Sequence, residues 1–160
     1  MKLSIERFEE IYKLYSQELL NISYGYTKNK DDSFDIIQNV FYKLLNREKD
    51  FKEKNNEKYW LIRVTINESK DFLRKKKKIA IVDSTTIDLL ETETKENNEK
   101  IELLLTAIKK LPDKYKSVII LHYYDLLPIK EISIVLKVSE SAVKKRLERA
   151  RNMLKEEMEV

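Results

Sequence analysis

The sequence predicts an all-α protein. Two small helical domains, residues 1–78 and 99–160, are joined by a flexible acidic linker over residues 79–98. Three observations lead there. Glycine occurs once, at Gly25, and proline twice, at Pro112 and Pro128, so a chain of 160 residues lacks the punctuation that many turns and strands require. Apolar residues recur at three- and four-residue spacing over most of the chain. Charge comes in blocks: 18 Lys+Arg against 13 Asp+Glu in residues 1–78, 1 against 5 in 79–98, and 13 against 10 in 99–160. Two basic blocks around an acidic strap suit two contacts with a polyanion, and suit equally a lysine-rich surface that only confers solubility.

A first helix is expected over residues 4–28, capped by Ser4. Its core stripe runs Ile5, Phe8, Ile11, Tyr12, Tyr15, Leu19, Ile22 and Tyr26. The polar stretch Thr27 to Asp32 reads as a turn. A second helix is expected over 33–47, with Phe34, Ile37, Phe41, Leu44 and Leu45 inward and Asp35, Asn39, Tyr42 and Asn46 opposite. Ile36 and Val40 fall beside that outer face. They read either as a docking patch or as packing against another helix of the same domain. Residues 46–56 form a charged loop around Phe51. A third helix over 57–78 has one apolar side, Ile62, Ile66, Ser69, Phe72 and Leu73. Its other side carries Trp60, Arg63, Asn67, Lys70, Asp71, Arg74 and Lys78, and it ends in five consecutive cations, Arg74 to Lys78. Cations at a helix C-terminus suit the dipole alone. With an aromatic and an amide on one face they also suit single-stranded nucleic acid, with bases on the ring and phosphates on the cations. Trp60 reads equally as a core ring.

Ile79 to Val82 are read as local packing within the linker, and Asp83 to Asn98 as a mobile tether. Helical spacing resumes with Ile101, Leu104, Leu105, Ile108 and Leu111. Pro112-Asp113 ends that run and opens another helix through Val118, Ile119 and Leu121. Residues 128–151 then read as two short helices with a tight turn. Pro128 opens the first, Ser133 is small where the helices approach, and Ser139 caps the second. With Val143, Leu147, Ala150 and Leu154 inward, the period turns Ser141, Lys144, Lys145, Glu148, Asn152 and Lys155 outward, flanked by Arg146, Arg149 and Arg151. Such a helix can lie in a DNA major groove. The plainer alternative is a helical hairpin with a solvated face. Lys137 holds the turn position that usually takes glycine, a strain of roughly 1 kcal/mol if the residue is left-handed.

Several chemistries lack their residues. Cysteine is absent, which suits a reducing cytosol and removes thiolate metal sites. His122, the only histidine, lies in an apolar run and reads as a packed side chain, so no metal is expected. One glycine cannot build a phosphate loop. No catalytic constellation is found, which argues against an enzyme, and no cofactor is expected. No long apolar run or signal-peptide pattern occurs, so a cytoplasmic protein without membrane insertion is expected.

Two groups of residues together carry a family resemblance. The first is Asp35-Ile36-Ile37-Gln38-Asn39-Val40-Phe41, then Trp60-Leu61-Ile62-Arg63-Val64-Thr65-Ile66-Asn67 and Asp71. The second is Leu111-Pro112-Asp113-Lys114-Tyr115, Glu131-Ile132-Ser133 and Ser139-Glu140-Ser141-Ala142-Val143-Lys144-Lys145-Arg146. In this order the chain resembles a bacterial RNA polymerase sigma factor of the extracytoplasmic-function (ECF) group. The resemblance implies a region 2-like bundle and a region 4-like helix-turn-helix, with the larger factors' region 3 missing at the linker. It implies that core RNA polymerase and promoter DNA are partners, and that an anti-sigma factor is a candidate partner. By resemblance, Asp35, Gln38 and Asn39 grip the coiled coil of the polymerase's largest subunit, with Ile36 and Val40 alongside. Asn39 replaces the family's acid. Asn67, Lys70, Asp71 and Arg74, on the face shared with Trp60 and Arg63, match the helix over the minus-10 element. Phe51 lies where the family captures a flipped base. Glu140, Ser141, Lys144, Lys145, Arg146 and Arg149 match the minus-35 helix, with Ala142 for the frequent threonine. The implied function is alternative sigma activity, directing promoter recognition and opening for transcription initiation. The rivals are a stand-alone dimeric helix-turn-helix regulator and a helical interaction protein without DNA contact.

Overall fold

A computed structural model describes residues 3–47, 51, 54–82 and 98–159. These residues are helical throughout apart from short connections, with no strand among them. Helix α1 spans Ile5–Thr27, and the Ser4 Oγ accepts from the Arg7 backbone N–H at 3.1 Å, as the sequence suggests. Helix α2 spans Lys30–Leu45, starting three residues earlier than expected. The expected six-residue turn shrinks to Lys28 and Asn29. Lys28 takes the left-handed conformation at φ 56°, and Asn29 at once caps the next helix by accepting from Asp32 N–H at 3.0 Å. The Thr27 and Ser33 hydroxyls, 2.8 Å apart, close the corner.

Helix α3 spans Lys54–Val82, longer at both ends than the sequence suggests. Ile79 to Val82, read as linker, continue the helix, because nothing in the lysine run or the apolar tetrad breaks it. The remainder of the expected tether, Asp83 to Asn97, lies outside the described residues. Helix α4 spans Asn98–Lys110, and α5 spans Asp113–Ile119 and continues as a π-helical turn, Ile120–Tyr124. Helix α6 spans Ile129–Leu136 and α7 spans Glu140–Met158. Pro112 and Pro128 stand at N-cap positions, one residue before the first helical position expected of Pro128.

Helices α1, α2 and α3 pack as one bundle, and α4 to α7 as a second. Ile11, Leu19, Ile22, Leu61 and Ile62 are buried in the first; Val118, Ile132, Val143, Leu147 and Ala150 are buried in the second. Each of the Val, Leu and Ile side chains contributes roughly 1.5–3 kcal/mol by leaving water, and the Ala150 methyl less. Helix α4 buries less than its spacing suggests. Ala107, Ile108 and Leu111 are inside, but Ile101, Leu103 and Leu104 stay exposed.

The two bundles are not held apart. Helix α1 packs on the π-helical turn, and α3 packs on α6. Gly25 makes the first contact possible: a Cβ there would sit 2.8 Å from Ile120 Cγ2. The only glycine in the chain is therefore a helix-packing residue at the seam, with no turn to serve.

Candidate nucleic-acid interface

The helix-turn-helix forms as its residues suggest. Ser139 Oγ accepts from Ala142 N–H at 3.0 Å and starts α7. Ser133 is buried and turns its hydroxyl back to the Lys130 carbonyl at 2.6 Å, so it adds no bulk between helices. Lys137 is left-handed at φ 58°, which carries about 1 kcal/mol of strain. Val143, Leu147 and Ala150 are fully buried, which leaves Glu140, Ser141, Lys144, Lys145 and Arg149 exposed along one face and Arg146 half-buried at its margin. Arg151, at the far flank, donates from Nε to the Tyr123 hydroxyl at 2.7 Å, a contact that spacing does not reveal.

On α3, Asn67, Asp71 and Arg74 are exposed and Lys70 is half-buried. Arg74 Nη2 lies 3.2 Å from Asp71 Oδ1, an exposed pair that adds little stability. Trp60 is neither a fully buried ring nor a free platform. It tilts against Phe51 at 5.7 Å between centroids, and the Arg47 guanidinium lies 4.1 Å from the Phe51 ring and 5.0 Å from the Trp60 ring. Phe51 and Trp60 are thus brought together. Arg63 is a correction. It shares the face expected to meet DNA, but its Nε donates to the Val135 carbonyl at 2.8 Å and its Nη2 to the Ile134 carbonyl at 3.1 Å. The guanidinium fork thus binds carbonyls in the last turn of α6, of which that of Ile134 also accepts from the Lys137 N–H at 3.3 Å.

On α2, Asp35, Gln38 and Asn39 are exposed. Ile36 and Val40, expected beside them as docking residues, are 1 % and 0 % exposed, and this too is a correction. A helix packed against two neighbours needs a wide apolar face, and Ile36, Ile37, Val40, Phe41 and Leu44 together make it. Phe34 and Leu45, expected inside, are left outside at 52 % and 44 % exposure. With Tyr12 and Tyr42 they border a shallow apolar groove beside Gln38, about 330 Å³ in volume. The signal was present in the sequence, since α2 has more apolar residues than one narrow stripe holds.

The seam between bundles carries charge of both signs. At one edge Lys58 Nζ lies 3.2 Å from Glu131 Oε1 and 3.9 Å from Glu18 Oε2, and Tyr59 donates its hydroxyl to Glu131 at 3.3 Å. Burial, then the hydrogen-bonded and like-charged Glu18, push Asp125 up to about 9. At the other edge Lys28 donates to the Tyr124 hydroxyl, and its ammonium lies 4.0 Å from that ring's centroid. Burial, then Lys109 and Lys116, lower Lys28 to about 8. His122 is half-buried, with its ring edge-on to Tyr123 at 4.8 Å. Among the described residues no three His, Cys, Asp or Glu side chains group as metal ligands. No described helix is long and apolar enough to cross a membrane.

Two helical bundles, one ending in an exposed cationic helix of a helix-turn-helix and the other in a long basic helix, have the features of a nucleic-acid-binding protein. Residues 11–79 match the Sigma-70 region 2 family and residues 101–154 match Sigma-70, region 4. The chain is 33 % identical to RNA polymerase sigma factor SigV of Bacillus subtilis, over 88 % of this chain and 84 % of that protein. It is 30 % identical to the ECF RNA polymerase sigma factor SigM of the same organism, over 92 % of each. The fold is similar to that of CnrH in complex with the cytosolic domain of CnrY, with a TM-score of 0.70 at 20 % identity, covering 95 % of this chain and 87 % of that one. It is also similar to the sigma factor RpoE in complex with the anti-sigma factor NepR from Bartonella quintana, with a TM-score of 0.71 at 20 % identity, covering 98 % and 99 %. The chain belongs to the ECF-type RNA polymerase sigma factors and acts as a promoter-recognising initiation factor. The alternatives of a stand-alone dimeric regulator and of an interaction protein without DNA contact are thereby set aside.

Proposed function

We propose that this sigma factor works through three surfaces and makes no bond itself. Asp35, Gln38 and Asn39 dock on core polymerase, with the apolar groove beside Tyr12, Phe34, Tyr42 and Leu45 taking part. Asn67, Lys70, Asp71 and Arg74 meet the minus-10 element, and the Phe51 and Trp60 cluster receives an unstacked base. Glu140, Ser141, Lys144, Lys145, Arg146 and Arg149 read the minus-35 element in the major groove. Residues 1–78 and 99–160 act as separate domains once the seam opens. The protein works in the cytoplasm beside polymerase, and an anti-sigma partner that holds the two bundles together would keep it silent.

The observation that carries this reading is the simultaneous exposure of Asn67, Asp71 and Arg74 on α3 and of Lys144, Lys145 and Arg149 on α7. Binding at both elements favours the opened promoter over the closed duplex. Transcription from an asymmetric promoter by core enzyme should then appear only when this protein is added. Asp35→Lys should abolish co-purification with polymerase without changing the far-UV spectrum. Lys144→Ala with Arg149→Ala should weaken promoter binding and lower its salt dependence. No stimulation on any genomic template would refute the reading.

A further inference from the structure

A cleft of about 590 Å³ opens where the C-terminal half of α3 faces α4 and α5. Its walls are cationic on both sides: Lys70, Arg74, Lys76 and Lys77 come from α3, and Lys109 and Lys116 from the second bundle. Asp113 is the one carboxylate among its described lining residues. Some of these charges already have partners. Lys76 Nζ is 2.7 Å from Asp32 Oδ2, and Arg74 pairs with Asp71. Lys70, Lys77, Lys109 and Lys116 form no ion pair among the described residues.

The cations are close enough to act on one another across the seam. Burial lowers Lys116, Asp113 opposes that shift, and Lys109 and then Lys70 lower it further. Lys70 belongs to the first bundle and Lys116 to the second. Holding like charges together in a partly dry cleft is unfavourable until an anion enters. Tyr26 supplies a second mark of a ligand site. The residue is 1 % exposed and lines the cleft, yet its hydroxyl is buried with no hydrogen-bond partner. The hydroxyl is closed to solvent, so an oxyanion in the cleft gains this bond only as the cleft wall shifts to admit it.

We propose that this cleft binds a small, multiply charged phosphate chain, an inorganic oligophosphate or the phosphate tail of a nucleotide, which bridges the two bundles and holds them closed. The volume lies in the range of small-molecule sites, and cations from two bodies converging on one space suit a chain of phosphates better than a single one. Lys70 and Arg74 are also proposed to meet the minus-10 element. On that reading, which this consequence alone requires, the phosphate and the promoter exclude each other.

The probes are inorganic tripolyphosphate and ATP, titrated calorimetrically into the full chain at fixed ionic strength. Saturable one-to-one binding is expected, with chloride or sulfate at equal ionic strength failing to reproduce it. Equal affinity for the two probes identifies the phosphate chain as the whole ligand, and tighter ATP binding adds a nucleoside. Lys109→Ala with Lys116→Ala should weaken binding by roughly a hundredfold, the loss expected for two charge-assisted contacts. Tyr26→Phe, which keeps the ring, should weaken it by a smaller factor. Lys144→Ala with Arg149→Ala, on the exposed recognition helix, should leave it unchanged. Small-angle scattering should report a more compact chain with tripolyphosphate present. Absence of saturable binding overturns the proposal. So does an affinity that survives the Lys109 and Lys116 changes, because the anion would then be held by the α3 lysine row alone. Neither result depends on promoter recognition, so failure of the cleft and failure of the sigma reading remain distinguishable.

Discussion

The two edges of the seam handle crowded charge in opposite ways. At the acidic edge Glu18, Asp125 and Glu131 meet around Lys58, and the crowding is relieved within the protein. Lys58 bridges Glu18 and Glu131, and Asp125 keeps a proton at neutral pH because burial and Glu18 push it up to about 9. At the basic edge Lys70, Lys109 and Lys116 line a cleft whose one described carboxylate is Asp113, and nearby Lys28 is lowered to about 8 by burial and by Lys109 and Lys116. A proton is always available from solvent to neutralise a carboxyl. A cluster of lysines needs an external anion or must give up protons. The acidic edge is therefore a self-contained clasp, and the basic edge is a clasp completed from outside.

The largest effect should come from breaking the tight packing of α1 on the π-helical turn across the seam. Gly25→Leu would drive a side chain into Ile120 and cost about 1–3 kcal/mol of closed-state stability. Scattering should show the radius of gyration rising while helix content holds. Arg63→Ala should come next. It removes two charge-assisted hydrogen bonds to the end of α6, a loss of about 1.5–3 kcal/mol reduced by partial solvent exposure. Limited proteolysis of the linker should speed up.

The pH dependence should separate the edges. Asp125 is raised in the folded state, so its contribution is fully present below its ordinary carboxylate value and is lost as pH rises through about 9. Lys28 is lowered, so its contribution is present above its ordinary ammonium value and is lost as pH falls through about 8. Asp125→Asn should flatten the fall in Tm between the ordinary carboxylate value and about 9, and Lys28→Met should remove the rise between about 8 and the ordinary ammonium value. If both variants track the wild type, the contrast between edges fails. The smallest effect belongs to Lys137→Gly. It should raise stability by about 1 kcal/mol by relieving a left-handed residue at the end of α6, without altering either pH slope.

Much of the local structure around the candidate site was legible from residues alone, because it depends on local chemistry. Ser4 and Ser139 cap their helices as expected, and the outward set on α7 follows from burying Val143, Leu147 and Ala150 at a 3.6-residue period. Helix α2 was harder. Both Phe34 and Ile36 are apolar, and only the presence of two neighbouring helices decides that Ile36 goes in and Phe34 stays out. Arg63 misled for a related reason: helical spacing cannot show that α6 lies across its face of α3.

What the sequence determined by itself is the all-helical class, the two units and the recognition helix. Each rests on propensity, capping and periodicity within a few tens of residues. Only the tertiary structure decided that the units close on each other, that Gly25 serves as a contact surface, and that lysines distant in sequence converge on one cleft. Charge and burial act through space, so residues such as Lys70 and Lys116 acquire their meaning only when the fold brings them together.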